Sequence, residues 1–227
     1  MSRLIEVNLT GFFHHNFKNR NMKNIKFNTL FILASFLFAF SAQAQYKSVD
    51  EVNGKAVGEK VKNFTAIDGE GNTFNLKNAL QDGPVVLLFY RGQWCPVCNR
   101  HLSQLQEELE KIESTGAKVI AISPEKQENL QKTKSKTGAG FTLLYDKDYK
   151  ISEDFDVAFV PKDQIIEAYN NRLGADLENA HSDNSNRIPV PATFIINQKG
   201  KVVWRHFDRD YKERASAEEI LEALNKI

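Results

Sequence analysis

Cysteine is scarce in this chain. Only Cys95 and Cys98 occur in 227 residues, which excludes a disulfide-stapled scaffold and a structural zinc site built on four ligands of its own. An excess of charge of one sign is also missing. Thirty Lys and Arg oppose 29 Asp and Glu, so the strongly basic surface that nucleic acid demands is excluded. No membrane-length apolar segment stands out: the run from Leu30 to Phe40 has 11 residues, where a spanning helix needs about 20. Internal repeats, low-complexity tracts and heptad arrays are absent. What remains, 41% hydrophobic and 26% charged, is the composition of one globular domain.

The first 44 residues depart from that average, holding 8 of the 16 Phe. From Met22 the order is basic (Lys23, Lys26), then apolar (Leu30 to Phe40), then small (Ser41-Ala42-Gln43-Ala44). This is the three-part order of a secretory signal peptide. Residues 1–44 are therefore expected to be a signal region, with translation starting at Met22 and cleavage after Ala44. No Cys follows the cut to carry a lipid, so the mature chain is expected to be periplasmic or otherwise exported, without a stable membrane anchor. It would have 25 basic and 28 acidic residues, a formal charge of −3. Residues 45–57 read as a linker and 58–227 as the domain.

Within the domain, Phe64 to Ile67 and Thr73 to Leu76 flank Asp68-Gly69-Glu70-Gly71-Asn72, which predicts an N-terminal hairpin at a sheet edge. Val85 to Tyr90 is continuously apolar, the pattern of a strand buried on both faces. Leu102, Leu105, Leu109 and Ile112 give an amphipathic helix that stops at Gly116, and Lys118 to Ser123 is a second strand. Strand, helix and strand make a parallel crossover. A helix at Gln127 to Ser135, a strand at Phe141 to Tyr145 and a short helix at Ile151 to Phe155 follow. Residues 161–188 interrupt the rhythm as an insertion containing a helical piece, Ile165 to Leu173. Ala192 to Ile196 and Val202 to Phe207 predict a second hairpin, and Ser216-Ala217-Glu218-Glu219 opens the last helix with a capping box.

Both cysteines fall between the buried strand and the amphipathic helix. A loop this short removes little entropy from the unfolded chain, so the pair is not a staple. Pro96 suits the first turn of a helix. A thiolate at Cys95 would meet the unpaired N–H groups and positive dipole end there, which lowers its pKa. Cys98, one turn on, is placed to attack a mixed disulfide or sulfenic acid formed on Cys95. A metal site is the competing use of these sulfurs. Cu(I) suits thiolates, and His101 or His181 would supply a third ligand to a copper carrier.

The segments Phe89-Tyr90-Arg91-Gly92-Gln93-Trp94-Cys95-Pro96-Val97-Cys98, Ile188-Pro189-Val190-Pro191-Ala192-Thr193-Phe194-Ile195-Ile196 and Asp210-Tyr211-Lys212-Glu213-Arg214-Ala215 resemble the peroxiredoxin-like branch of the alkyl hydroperoxide reductase and thiol-specific antioxidant family. The resemblance covers about residues 58–226. It implies an α/β thioredoxin fold: a central mixed sheet flanked by helices, with the N-terminal hairpin and with the insertion placed before a strand led by a cis proline, Pro191. Pro191 would face the cysteines, with Val190 offering backbone groups to an extended substrate, Trp94 shaping the surface beside the sulfur, and Arg91 either activating a peroxide oxygen or remaining solvated in its loop.

The family's peroxidases carry Thr three residues and Pro seven residues before the attacking Cys. Counted from Cys98 those positions hold Cys95 and Arg91; counted from Cys95 they hold Gly92 and Leu88. Pro191 stands where the family's facing Arg is expected. Trp94-Cys95-Pro96-Val97-Cys98, by contrast, is similar to thioredoxin-type disulfide oxidoreductases. The first expectation is a peroxidase in which Cys95 attacks, Cys98 closes a redox disulfide and a thioredoxin-like thiol reopens it. The alternatives are exchange with protein disulfides and the copper carrier. The resemblance implies no bound metal or organic cofactor.

Overall fold

In the computed structural model, which describes residues 46–227, the apolar run near residue 85 is a doubly buried strand. Strand β3 (Val85–Phe89) is buried at all five positions, and its alternate side chains feed different cores. Val86 and Leu88 point to one, and Val85, Leu87 and Phe89 to the other. That is why β3 shows no polar alternation.

Around it lie β1 (Thr65–Asp68), β2 (Thr73–Asn75), β4 (Lys118–Ser123), β5 (Thr142–Tyr145), β8 (Ala192–Ile196) and β9 (Val202–Phe207), in the order β2-β1-β5-β4-β3-β8-β9. The three inner strands β5, β4 and β3 run parallel. β1 and β2 pair antiparallel at one edge, and β8 and β9 at the other. The sheet is mixed, as expected, with helices on both faces, the thioredoxin-like arrangement.

Helices α2 (Pro96–Glu107), α3 (Leu109–Ser114), α4 (Gln127–Thr137) and α8 (Ala217–Leu224) cover the first face through Leu102, Leu105, Ile112, Leu130 and Ile220. Helices α1 (Leu76–Asp82) and α5 (Lys150–Asp154) cover the second, where Phe89, Phe155 and Phe194 stack with ring centroids 5.0–6.0 Å apart. The insertion holds α6 (Asp163–Leu173) and α7 (Leu177–Ala180), bracketed by a two-stranded ribbon of β6 (Ala158–Phe159) and β7 (Ile188–Pro189).

Three details differ from the sequence reading. The helix through Leu102 to Ile112 is two helices, broken at Glu108, whose φ of −104° and ψ of 6° leave the helical region. Helix α1 was not anticipated. It is seven residues long, too short to show a period, and Asn75 caps it by accepting the Asn78 N–H. Residues 46–57 are packed rather than a free linker: Val52 is fully buried, Arg209 donates to the carbonyls of Val49 and Val52, and Arg205 to those of Asn53, Gly54 and Lys55. The expected signal region, 1–44, lies outside the described residues. No helix among those described is long and apolar enough to cross a membrane.

Candidate active site

Parallel β3 and β4 end side by side, and the loops leaving them build the site, as is usual at the carboxyl edge of such strands. After β3, the Tyr90 N–H bonds to the Ile122 carbonyl at 3.0 Å, and the chain turns through Arg91-Gly92-Gln93-Trp94. Gly92, at φ 156°, has no room for a side chain: a Cβ there would lie 2.5 Å from Trp94 Nε1 and 2.7 Å from the Glu125 carboxyl. Cys95 then takes the N-cap of α2 with extended φ and ψ, and Pro96 is the first helical residue. The Cys98 N–H donates to Cys95 Sγ at 3.3 Å, so the sulfur occupies the place a Ser or Asp oxygen holds in an ordinary cap. Both thiols are free, and both are buried, at 0% and 1% exposure.

Arg91 is not a solvated loop residue. It is 2% exposed, and its Nη2 donates to Cys95 Sγ at 3.0 Å while its Nη1 donates to the Tyr169 hydroxyl at 2.8 Å. Three aromatic rings enclose the guanidinium: Tyr211 at 3.9 Å, Tyr169 at 5.1 Å and Trp94 at 5.2 Å from their centroids. A second cation, Arg214, reaches Cys98 Sγ at 3.8 Å.

These charges govern the pair. Burial pushes the Cys98 thiol up, but the hydrogen bond it shares with Cys95 and the positive charges of Arg91 and Arg214 outweigh burial and bring it down to about 5. The same shared bond, together with burial and repulsion from Cys98, drives Cys95 far above the thiol range, with Arg91 opposing. The two sulfurs thus hold one proton and one negative charge between them at neutral pH.

A carboxyl lies beneath them. Glu125, from the loop after β4, is fully buried. Its Oε2 accepts the Gln93 N–H at 2.7 Å, and its Oε1 has no partner among the described residues. Burial raises it to about 8 despite the Gln93 bond. Asn99 and Lys136 fasten the Gln93 carbonyl from the other side.

A cavity of about 240 Å³ opens over Arg91, walled by Phe159, Pro161, Ile165, Tyr169, Tyr211 and the Pro189-Val190-Pro191 segment. Pro191 lines this cavity together with Arg91. Val190 is there too, but its N–H is already bonded to the Val157 carbonyl at 2.8 Å. The donor that an extended substrate strand would need is occupied.

The histidines suggested as metal ligands each hold a hydrogen bond through one ring nitrogen. His101 Nε2 bonds to the Ala215 carbonyl at 2.8 Å, and burial lowers this ring to about 4. His181 Nδ1 bonds to the Tyr149 hydroxyl at 2.8 Å. Among the described residues no three of His, Cys, Asp and Glu come together as a metal site, so the copper carrier lacks its third ligand.

Of the residues the sequence singles out, Arg91 lies against Cys95 and Trp94; Cys98 and Pro96, on α2, adjoin Cys95; and Pro191 shares a cavity wall with Arg91. Sequence reasoning missed Glu125, Tyr169 and Tyr211. Arg214 stood inside a quoted motif without a role. For Glu125 a signal existed: it follows the strand parallel to β3, so topology brings it to the same edge.

The AhpC/TSA family model matches residues 57–205. A thiol-disulfide oxidoreductase, ResA, of Bacillus cereus is 25% identical over 87% of this chain and 92% of its own length. Peroxiredoxin Bcp of Escherichia coli is 29% identical over 47% of this chain and 67% of its own. Among solved structures, the peroxidoxin BcpB of Mycobacterium tuberculosis superposes with a TM-score of 0.59 at 22% identity, covering 75% of this chain and 97% of that one. The matched span contains the cysteine pair, Arg91, Glu125, the insertion and the Pro191 strand, and by it this chain belongs to the AhpC/TSA family.

Proposed function

We propose that the protein is a thiol-dependent peroxidase in which Cys95 attacks and Cys98 resolves. The observation that carries this reading is the buried guanidinium of Arg91, which lines a small, mainly apolar cavity and donates to Cys95 Sγ behind it. Such a donor steadies a thiolate on Cys95 and the charge that develops on a peroxide oxygen. The proton on Cys95 crosses its bond to Cys98, and the freed thiolate attacks the terminal oxygen of ROOH. The S–O bond forms as the O–O bond breaks, giving a sulfenic acid on Cys95 and an alkoxide. The alkoxide takes the proton from Cys98 and leaves as ROH. The Cys98 thiolate then attacks the sulfenic sulfur, closing the disulfide and releasing hydroxide, which solvent protonates. Two electrons have moved from the sulfurs to the peroxide, and a thioredoxin-like dithiol returns them.

Exchange with protein disulfides is the second reading. It is favoured by the Cys-Pro-Val-Cys turn at a helix N-terminus and by the likeness to ResA over most of both chains. Against it stand the burial of both sulfurs and the occupied Val190 N–H, which suit a small substrate better than a polypeptide. The chemistry of a cleaved export signal at Ala44 puts either reaction outside the cytoplasm in this proposal. The test follows peroxide loss under thioredoxin recycling in the wild type, Cys95→Ser and Cys98→Ser. Rapid wild-type turnover, with Cys95→Ser inactive from the first turnover and Cys98→Ser able to consume one equivalent, supports the peroxidase. Peroxide loss no faster than with a free thiol, alongside turnover of protein disulfides, transfers the function to disulfide exchange.

A further inference from the structure

Helix α6 belongs to the insertion and adds no strand to the sheet; none of its residues is fully buried, and Ile166 and Tyr169 pack against the core that holds the cysteines. Its hydrophobic side chains Ile165 and Leu173 are about two-fifths exposed, at 43% and 39%. Yet Tyr169 from this helix is turned inward. Its hydroxyl accepts the Arg91 Nη1 proton at 2.8 Å, and its ring lies on Trp94 with centroids 4.9 Å apart.

A guanidinium has five N–H donors in a rigid plane, so fixing one end of the fork aims the other. In Arg91 the Nη1 end is held by Tyr169 and the Nη2 end meets Cys95 Sγ, while Nε has no partner among the described residues. Three rings lie with centroids 3.9–5.2 Å from the guanidinium carbon; such contacts attract the cation but do not fix its rotation within its own plane. The Tyr169 hydroxyl is the contact that sets that rotation.

We infer that Tyr169, supplied by the inserted helix, is a positioning residue that acts through Arg91: its hydroxyl holds the guanidinium fork against the Cys95 sulfur and so sets the reactivity of the cysteine pair. The inference deepens the proposed function at the same site, because it gives the insertion a part in that chemistry. It does not depend on which substrate is reduced. Tyr169 touches neither sulfur and needs no contact with the peroxide. Its whole effect passes along one hydrogen bond and one planar group.

The experiment is the pH profile of iodoacetamide alkylation of the reduced, purified protein, in wild type, Tyr169→Phe, Arg91→Lys and the double variant. Tyr169→Phe keeps the ring on Trp94 and removes only the acceptor. The expected result is an upward shift of the alkylation midpoint by about one pH unit, a tenfold loss of thiolate below the midpoint. In the Arg91→Lys background, which has no fork to aim, the same substitution is expected to shift the midpoint no further. A Tyr169→Phe midpoint equal to wild type overturns the inference, and so does a shift of equal size in both backgrounds, since the tyrosine would then act without the arginine. Alkylation needs no peroxide. A positive result without peroxide turnover would therefore keep Tyr169 as a positioning residue while removing the peroxidase reading.

Discussion

Glu125 and Cys98 share one buried pocket of charge and titrate in opposite senses. Cys98 loses its proton at about 5 in the folded chain and near 9 when unfolded. Its contribution to stability is complete above pH 9 and is lost as pH falls through 5. Glu125 releases its proton at about 8 when folded and near 4.5 when unfolded. Its contribution is complete below pH 4.5 and is lost as pH rises through 8. Between about pH 5 and 8 the unfolded chain therefore binds one proton more at Cys98 and one fewer at Glu125. The two slopes, each about 1.4 kcal/mol per pH unit, cancel. Urea midpoints of the reduced wild type at pH 5, 6.5 and 8 are accordingly expected to lie close together. In Glu125→Gln they should climb with pH, and in a Cys95→Ser, Cys98→Ser double variant, which has no thiol left to titrate, they should fall. Parallel profiles in all three proteins would show that the two groups do not titrate in that window.

At the scale of elements, helix ends and crowded turns carry testable weight. Ser216 Oγ accepts the Glu219 N–H at 3.1 Å, and the Glu219 carboxylate accepts the Ser216 N–H at 2.7 Å, closing the expected capping box. Ser216→Ala is predicted to lower stability by about 1 kcal/mol by chemical denaturation. Gly83, between α1 and β3, is a stiffer constraint, because a Cβ there would lie 2.0 Å from the Gly116 carbonyl oxygen. Gly83→Ala must displace backbone, and a loss of about 1–3 kcal/mol is expected from the same measurement. Elements with a strong pattern were legible in the sequence: β4, β8 and β9 have the ends that their apolar runs suggested. Helix α1 was not legible, because three buried residues in seven do not make a period. The site divides likewise. Cys95 and Cys98 declare themselves by spacing, whereas Tyr169 lies 74 residues downstream of Cys95 and reaches it only through the packing of the insertion.

At the scale of the whole molecule, one sheet separates two cores. The Phe89, Phe155 and Phe194 stack lies in the core opposite the one that holds the cysteines. Phe155→Ala is predicted to cost about 3–5 kcal/mol while leaving the alkylation rate of the cysteines in the folded protein near that of wild type. A change in that rate as large as the one from Arg91→Lys would mean that the two faces are not independent. Residues Gln45–Ile227 form one compact unit. Expressed alone, they are expected to unfold in a single transition with the same midpoint by far-ultraviolet circular dichroism and by urea gradient. Shortening that segment to start at residue 58 removes Val52 and the carbonyls that Arg205 and Arg209 hold, and should lower the midpoint.

The chain has two tryptophans, Trp94 and Trp204. The first is buried beside Cys95, stacked on Tyr169 and facing the Arg91 guanidinium. The second sits half-buried on the β9 edge strand. Indole emission is sensitive to nearby sulfur and charge, so oxidation of the pair should alter the light from Trp94 and leave that from Trp204 as an internal reference. The protein thus contains its own optical gauge of redox state. Its turnover can be timed in a stopped-flow instrument without a label, and a Trp204→Phe variant would leave the signal of one ring.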